Sequence, residues 1–247
     1  MLYLKKESDK MIGVFDSGIG GLTILDELIK INPNYNYIYY GDSKNNPYGE
    51  KSEEELMNIT SNIVEYLKSK GCKLIVIACN TATTRCMKKL RIKYNDLIFV
   101  GTVPAIKVAY DKEYKNTLVM ATPATIESER TEELIRDYKR DDQNIYLVPC
   151  YGLANAIENK REKDIDNILI EIYEEYKDNN IDSIVLGCTH YPYIKKEINS
   201  YFKDAELLDG ANGVAREVKR QLELNGIKEL ASKGTVKIIN SNDSILT

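Results

Sequence analysis

Short apolar runs and longer segments with apolar residues three or four apart alternate along nearly the whole chain. Met11–Phe15, Tyr37–Tyr40, Lys73–Ala78, Leu97–Gly101, Thr117–Ala121, Ile145–Val148, Ser183–Gly187, Glu206–Leu208 and Val236–Ile239 have the length and apolar content of buried strands. Between them, helical periodicity predicts helices near Leu22–Ile31, Ser52–Lys70, Thr81–Tyr94, Thr125–Tyr138, Gly152–Asn159, Asp164–Asn179, Tyr193–Phe202 and Val214–Asn225. Ser52 with Glu55 three residues on makes a capping box for the second of these. Strand–helix units repeated at this spacing predict an α/β fold of mainly parallel sheets flanked by helices on both faces.

The order of signals also repeats. Asp16-Ser17, Pro47-Tyr48-Gly49 and Cys79-Asn80-Thr81 each follow a strand in the first half. Thr122-Pro123, Cys150-Tyr151-Gly152 and Cys188-Thr189-His190 follow strands in the second half, 103 to 109 residues later. Three dissimilar motifs at a near-constant offset predict a duplicated unit. The expected organisation is two pseudo-symmetric domains, residues 11–101 with 209–247 and residues 102–208. Two such lobes would set their strand ends face to face. Residues 1–10 are polar and charged and read as a disordered extension.

Composition narrows the function classes. A net charge of −4 gives no basic footprint for nucleic acid. No apolar run approaches the roughly 18 residues of a membrane-spanning helix. The first ten residues lack the apolar core of a signal peptide. The expected partner is therefore a small molecule rather than nucleic acid or a membrane, and the expected location is the cytoplasm. The five cysteines, Cys72, Cys79, Cys86, Cys150 and Cys188, include no C-x-x-C pair, and His190 is the one histidine. That inventory predicts free thiols, not a disulfide framework or a zinc site. Most free cysteines are small buried hydrophobes, which suits Cys72 and Cys86 and leaves Cys150 open.

Two of the cysteines stand apart. Leu74–Ala78 runs into Cys79-Asn80-Thr81, and Ser183–Gly187 runs into Cys188-Thr189-His190. A cysteine at the carboxyl end of a buried parallel strand lies where α/β sheets receive ligands. A thiol on each side suits taking a proton from one face of a molecule and returning one to the other. Helix N-termini just beyond would favour a thiolate, and His190 could hold or receive a proton beside Cys188.

Other motifs leave alternatives open. Asp16-Ser17-Gly18-Ile19-Gly20-Gly21 follows a strand and precedes a helix, so it could approach an anionic ligand or simply cap the helix. As a dinucleotide fingerprint it lacks the third glycine, having Thr23 there, although Asp42 follows the next strand as a ribose-binding acid would. Asn45–Gly49 is a turn by composition that could reach the same cleft. Glu158, on an apolar helix with Leu153, Ala154 and Ile157, reads on its own as a solvated helix residue.

At these residues the chain resembles the glutamate racemases of the cofactor-independent aspartate/glutamate racemase superfamily. The resemblance rests on Asp16-Ser17-Gly18, Gly41-Asp42-Ser43, Pro47-Tyr48-Gly49, Cys79-Asn80-Thr81-Ala82, Val103-Pro104-Ala105-Ile106, Thr122, Thr125, Glu158, Gly187–Pro192 and Asp209-Gly210-Ala211. It implies an active site in the cleft between the two domains. The implied reaction is direct proton transfer at the α-carbon of glutamate, with no cofactor and no metal. Cys79 would act on D-glutamate with help from Asp16. Cys188 would act on L-glutamate with help from His190, with Glu158 near that thiol. Ser17, Pro47, Tyr48, Gly49, Asn80, Thr81, Thr122, Thr125 and Thr189 would bind substrate, together with Asp16, the two cysteines and His190. The implied role is D-glutamate supply for peptidoglycan by a homodimer. Cys150-Tyr151-Gly152 departs from the Cys-Pro pair frequent in the family, which bears on substrate breadth. The alternatives are a broad-specificity or aspartate-preferring racemase of the same superfamily and, more distantly, a non-catalytic two-lobed protein binding a nucleotide or small acid.

Overall fold

Strands form along the apolar runs because residues on both strand faces find helices to pack against. The computed structural model describes residues 11–138 and 140–242. The extension of residues 1–10 lies outside the described residues, as do residues 243–247. The chain divides into two units. One comprises the described residues of Met1–Thr102 and Ala211–Thr247, and the other Val103–Gly210.

The first unit holds β1 (Met11–Asp16), β2 (Asn36–Gly41), β3 (Leu74–Ile77), β4 (Ile98–Gly101) and β9 (Val236–Asn240). Its sheet order is β4-β3-β1-β2-β9, with every pair parallel. Side chains alternate between the faces. Ile12, Val14, Leu74 and Val76 meet α1 (Leu22–Ile31) and α10 (Ala211–Leu224). Phe15, Ile75 and Ile77 meet α2 (Glu53–Ser69) and α3 (Asn80–Lys93) on the other face. Each such fully buried side chain contributes about 1.5–3 kcal/mol. The capping box at Ser52 and Glu55 is present in full.

The second unit holds β5 (Asn116–Ala121), β6 (Asn144–Pro149), β7 (Ser183–Gly187) and β8 (Glu206–Leu208) in the parallel order β6-β5-β7-β8. Leu118, Met120, Ile184 and Leu186 pack with α7 (Leu153–Glu158), α8 (Glu162–Tyr176) and α9 (Lys195–Tyr201). Val119 and Val185 face α4 (Ile106–Asp111) and Leu134 of α6 (Glu129–Tyr138).

Both sheets reverse direction at the same place. From β1 the chain adds β2 on one side and then β3 on the other. From β5 it adds β6 on one side and then β7 on the other. Open α/β sheets bind ligands at such switch points, outside the carboxyl ends of the strands. Asp16 and Cys79 leave the first switch point, and Thr122 and Cys188 leave the second.

Three helices differ from the sequence expectation. The single helix predicted over Thr125–Tyr138 is two, α5 (Pro123–Ile126) and α6. The hydroxyls of Ser128 and Thr131 donate to the Thr125 carbonyl at 2.7 and 2.6 Å, so local side chains take over from the helical ladder. The helix predicted from Tyr193 begins as a 3₁₀ turn, Tyr191–Ile194, and becomes α-helical only at Lys195. Pro192 stands in the first turn of that 3₁₀ segment, where its missing N–H leaves no ladder bond unmade. The six-residue α4 was too short to show a period.

Candidate active site

In the first unit the chain ends β1 with Asp16, a fully buried carboxyl. Its Oδ2 accepts the backbone N–H groups of Gly18 at 3.2 Å and Gly21 at 3.0 Å. The carboxylate thus braces the turn into α1, whose N-cap is Gly21 with no side-chain cap bond, so Asp16 holds the turn rather than capping the helix. A Cβ at Gly21 would lie 2.6 Å from the Asp16 Cβ, so only glycine lets the turn close this tightly. Tyr39 donates its hydroxyl to the Gly18 carbonyl at 2.7 Å and supports the same turn from β2.

Cys79 follows β3 and is the residue immediately before α3, so Asn80 and Thr81 form that helix's first turn. All three are buried. The Cys79 Sγ lies 3.9 Å from the Ser17 Oγ, which joins the two strand ends through a weak S–H···O contact. Asn80 Oδ1 is buried, and among the described residues no group donates to it. A buried acceptor in that state is costly, and at a strand end it is a place for a ligand donor.

Tyr48 reaches the site from a 3₁₀ turn, Tyr48–Glu50. Its ring is buried, with Pro47 and Gly49 half-buried beside it. The Tyr48 hydroxyl donates to Asp42 Oδ2 at 2.7 Å. Burial, and then the neighbouring Asp42 carboxylate, push the Tyr48 phenol well above its usual range. On a nucleotide-binding reading Asp42 would be the ribose-binding acid. Its actual partners are Tyr48 and Asn45, whose Nδ2 donates to both of its oxygens at 2.9 and 3.0 Å.

In the second unit Cys188 follows β7. Its Sγ lies 3.7 Å from His190 Nδ1, and His190 Nε2 lies 2.6 Å from Glu158 Oε2. The carboxylate can only accept, so Nε2 carries the hydrogen of that bond and Nδ1 is left facing the thiol. From there a neutral ring accepts from S–H, and a protonated ring donates to a thiolate. His190 is buried, and the Glu158 side chain is only 13% exposed. The solvated-helix reading of Glu158 is therefore corrected: α7 ends with its carboxylate turned inward onto the imidazole.

Gly187, just before Cys188, packs where a Cβ would lie 2.8 Å from the Ala121 Cβ and 2.9 Å from the Met120 carbonyl oxygen. At the end of the neighbouring β5, Thr122 caps α5. Its Oγ1 accepts from the Thr125 N–H at 3.3 Å and donates to the Thr125 Oγ1 at 3.0 Å. Pro123 in the first turn suits this start. Thr189 is buried in the turn between Cys188 and His190.

The other cysteines stand outside these groups. Cys150 follows β6, with β5 lying between it and the strand of Cys188. Burial pushes the thiols of Cys72 and Cys150 up to about 12 and that of Cys86 up to about 11. Such thiols stay protonated and unreactive near neutrality. Among the described residues, no group of three or more His, Cys, Asp and Glu side chains converges to hold a metal ion.

The model of the Asp/Glu/hydantoin racemase family matches residues 23–218. The chain is 44% identical over 235 residues to a glutamate racemase of Clostridium perfringens strain SM101, covering 93% of this chain and 90% of that protein. It is 42% identical over 242 residues to a glutamate racemase of Clostridium acetobutylicum, covering 95% and 94%. Its fold aligns with the crystal structure of Francisella tularensis glutamate racemase in complex with D-glutamate, with a TM-score of 0.83 and 29% identity. That alignment covers 96% of this chain and 90% of that one.

Proposed function

The chain belongs to the Asp/Glu/hydantoin racemase family, and on that footing we propose that it interconverts L- and D-glutamate by proton transfer between two cysteines. In the L-to-D direction, the Cys188 thiolate takes the α-proton. The electron pair left on the α-carbon is delocalised toward the carboxylate, and the Cys79 thiol returns a proton to the opposite face. The enzyme is then left with a Cys188 thiol and a Cys79 thiolate, the state competent for the reverse direction. The scheme requires both thiols to reach the α-carbon of one bound substrate.

The single observation carrying this reading is the chain Cys188···His190···Glu158, set at the switch-point strand that corresponds to the one ending in Cys79. His190 positions or receives the proton of Cys188, and Glu158 orients the ring. Asp16 assists Cys79. An α-proton beside a carboxylate is weakly acidic, so donors around that carboxylate must stabilise the charge that develops. Ser17, Asn80, Thr81, Thr122, Thr125 and Thr189 are the side chains assigned to the substrate, with the turn at Pro47, Tyr48 and Gly49. The relatives named as glutamate racemases support glutamate as the substrate. The same reading makes the protein a cytoplasmic homodimer that supplies D-glutamate for peptidoglycan. Among the described residues, no helix is long and apolar enough to cross a membrane.

Circular dichroism of purified protein with L- or D-glutamate, without added cofactor, tests the activity. Glutamate should lose optical activity from either enantiomer, with a higher kcat/KM than aspartate. Unchanged optical activity with the thiols reduced would refute the reading. A higher kcat/KM for aspartate would replace the substrate.

A further inference from the structure

Asp42 is buried, with 1% of its surface exposed, and among the described residues no cation forms an ion pair with its carboxylate. Three hydrogen bonds from neutral donors hold it, one from the Tyr48 hydroxyl and two from the Asn45 amide. A buried carboxylate kept by neutral donors is costly to maintain, and its partners become rigid in return. Asp42 is also tied to the other strand of the site: its backbone N–H donates to the Asp16 carbonyl at 2.9 Å. The bond to Tyr48 has a chemical consequence. A carboxylate only accepts, so it commits the phenol hydrogen to itself. The Tyr48 hydroxyl then has no hydrogen to offer a substrate carboxylate. The raised phenol pKa keeps that hydrogen in place across the working range.

We propose that Asp42 is a positioning residue that, by holding the Tyr48 hydroxyl and the Asn45 amide, sets the turn at Pro47, Tyr48 and Gly49 that the glutamate reading assigns to substrate binding. The proposal rests on the glutamate reading above. It assigns Asp42 no contact with the reacting atoms, and it makes the Tyr48 ring an anchor rather than a donor to substrate.

The test compares Asp42→Asn, Tyr48→Phe, their double variant and the exchange Asp42→Asn/Asn45→Asp, alongside the parent protein. In Asp42→Asn the new amide must either face the Asn45 amide donor to donor or release Tyr48. In the exchange variant, Asn at position 42 accepts from Tyr48 and donates to the new carboxylate, so the pattern of donors and acceptors is restored. Asp42→Asn and Tyr48→Phe should each raise KM for glutamate about tenfold to a hundredfold, the range for losing a hydrogen bond to a charged group. In each, kcat should stay within about threefold, because only binding of the carboxylate is weakened. The double variant should be no worse than the poorer single one, and the exchange variant should recover most of the affinity. Hydrogen–deuterium exchange of the peptide spanning residues 46–51 should quicken in Asp42→Asn and slow again in the exchange variant, whether or not glutamate turns over. Additive effects, or a fall in kcat at unchanged KM, would overturn the proposal. So would unchanged exchange of that peptide in Asp42→Asn. A parent protein that leaves glutamate unracemised, with the exchange pattern as described, would sink the glutamate reading and leave Asp42 as the anchor of the turn.

Discussion

Cys79 and Cys188 end corresponding strands of two sheets with the same switch point, yet the chain leaves them in different ways. After Cys79 an α-helix starts at once, and its sulfur lies 3.9 Å from the Ser17 hydroxyl. After Cys188, Pro192 lies in a 3₁₀ turn that puts α9 off to Lys195, and His190 occupies the intervening turn. The second thiol thus has an imidazole backed by a carboxylate, and the first has a hydroxyl and the start of a helix. The carboxyl nearest the first thiol in sequence motif, Asp16, spends two of its hydrogen bonds bracing a backbone turn. The two sheets present the same strand end twice, and the residues just after each strand place an imidazole beside one thiol and a helix terminus beside the other.

The largest expected effect is on the pair itself. Cys79→Ala and Cys188→Ala should each lower racemisation by about a thousandfold or more, since a positioned acid or base contributes roughly 10²–10⁴ and here one of two is lost. Full activity in either variant, read by circular dichroism, would break the two-base comparison.

Glu158→Gln comes next. It keeps the shape of the side chain but weakens the acceptor for His190 Nε2, and kcat/KM should fall about tenfold to a hundredfold. The fall must be equal for the two enantiomers, because their ratio is set by the equilibrium constant of racemisation. The asymmetry should instead appear in the isotope effects. Removal of deuterium from the α-carbon of L-glutamate should become more rate-limiting, and the D-enantiomer should change less. Equal changes for both enantiomers would erase the distinction between the thiols.

The two close-packed glycines allow a structural version of the same comparison. Gly21→Ala and Gly187→Ala each force a Cβ to within 3 Å of a neighbour, and each should cost about 1–3 kcal/mol of stability in urea unfolding. Gly21→Ala pushes on Asp16 and should also lower kcat. Gly187→Ala meets Ala121 and the Met120 carbonyl and should act mainly on stability.

The smallest effects concern the other thiols. Limited alkylation at pH 8 should label Cys79 and Cys188 before Cys72, Cys86 and Cys150, as read by mass spectrometry of the digested protein. Stability should also respond to pH at the buried thiols. Burial raises the Cys72 thiol from 9.0 to about 12, so the folded state keeps a proton that the unfolded chain releases. That contribution is fully present below pH 9 and is lost as pH rises from about 9 to about 12. Cys72→Ala should therefore flatten the decline in urea midpoint between pH 8 and pH 10, and an unchanged slope would contradict it.

Much of this molecule was legible along the chain. Strand runs, the Ser52–Glu55 cap, the repeated order of motifs and the two cysteines at strand ends are patterns among near neighbours. Periodicity and turn chemistry act over a few residues, so a linear reading captures them. It was less able to see where a helix gives way. Ser128 and Thr131 compete for the Thr125 carbonyl, and only the folded backbone shows that they win it.

What the sequence determined by itself was the α/β class, its two similar units and the two cysteines that follow apolar strands. The tertiary structure decided which polar groups stand beside them. Glu158 lies 32 residues from His190 and reads alone as a solvated helix residue, but α7 ends against the turn after β7 and brings the two within 2.6 Å. Asp42 looked like a possible nucleotide-binding acid until Tyr48 and Asn45 were found on its carboxylate. Cys150 is a thiol at a strand end like the other two, and its place outside the switch point leaves it buried and unreactive. The reason is the same in each case. A side chain's chemistry depends on what removes it from water and which donors and acceptors then surround it, and those partners come from other elements of the fold.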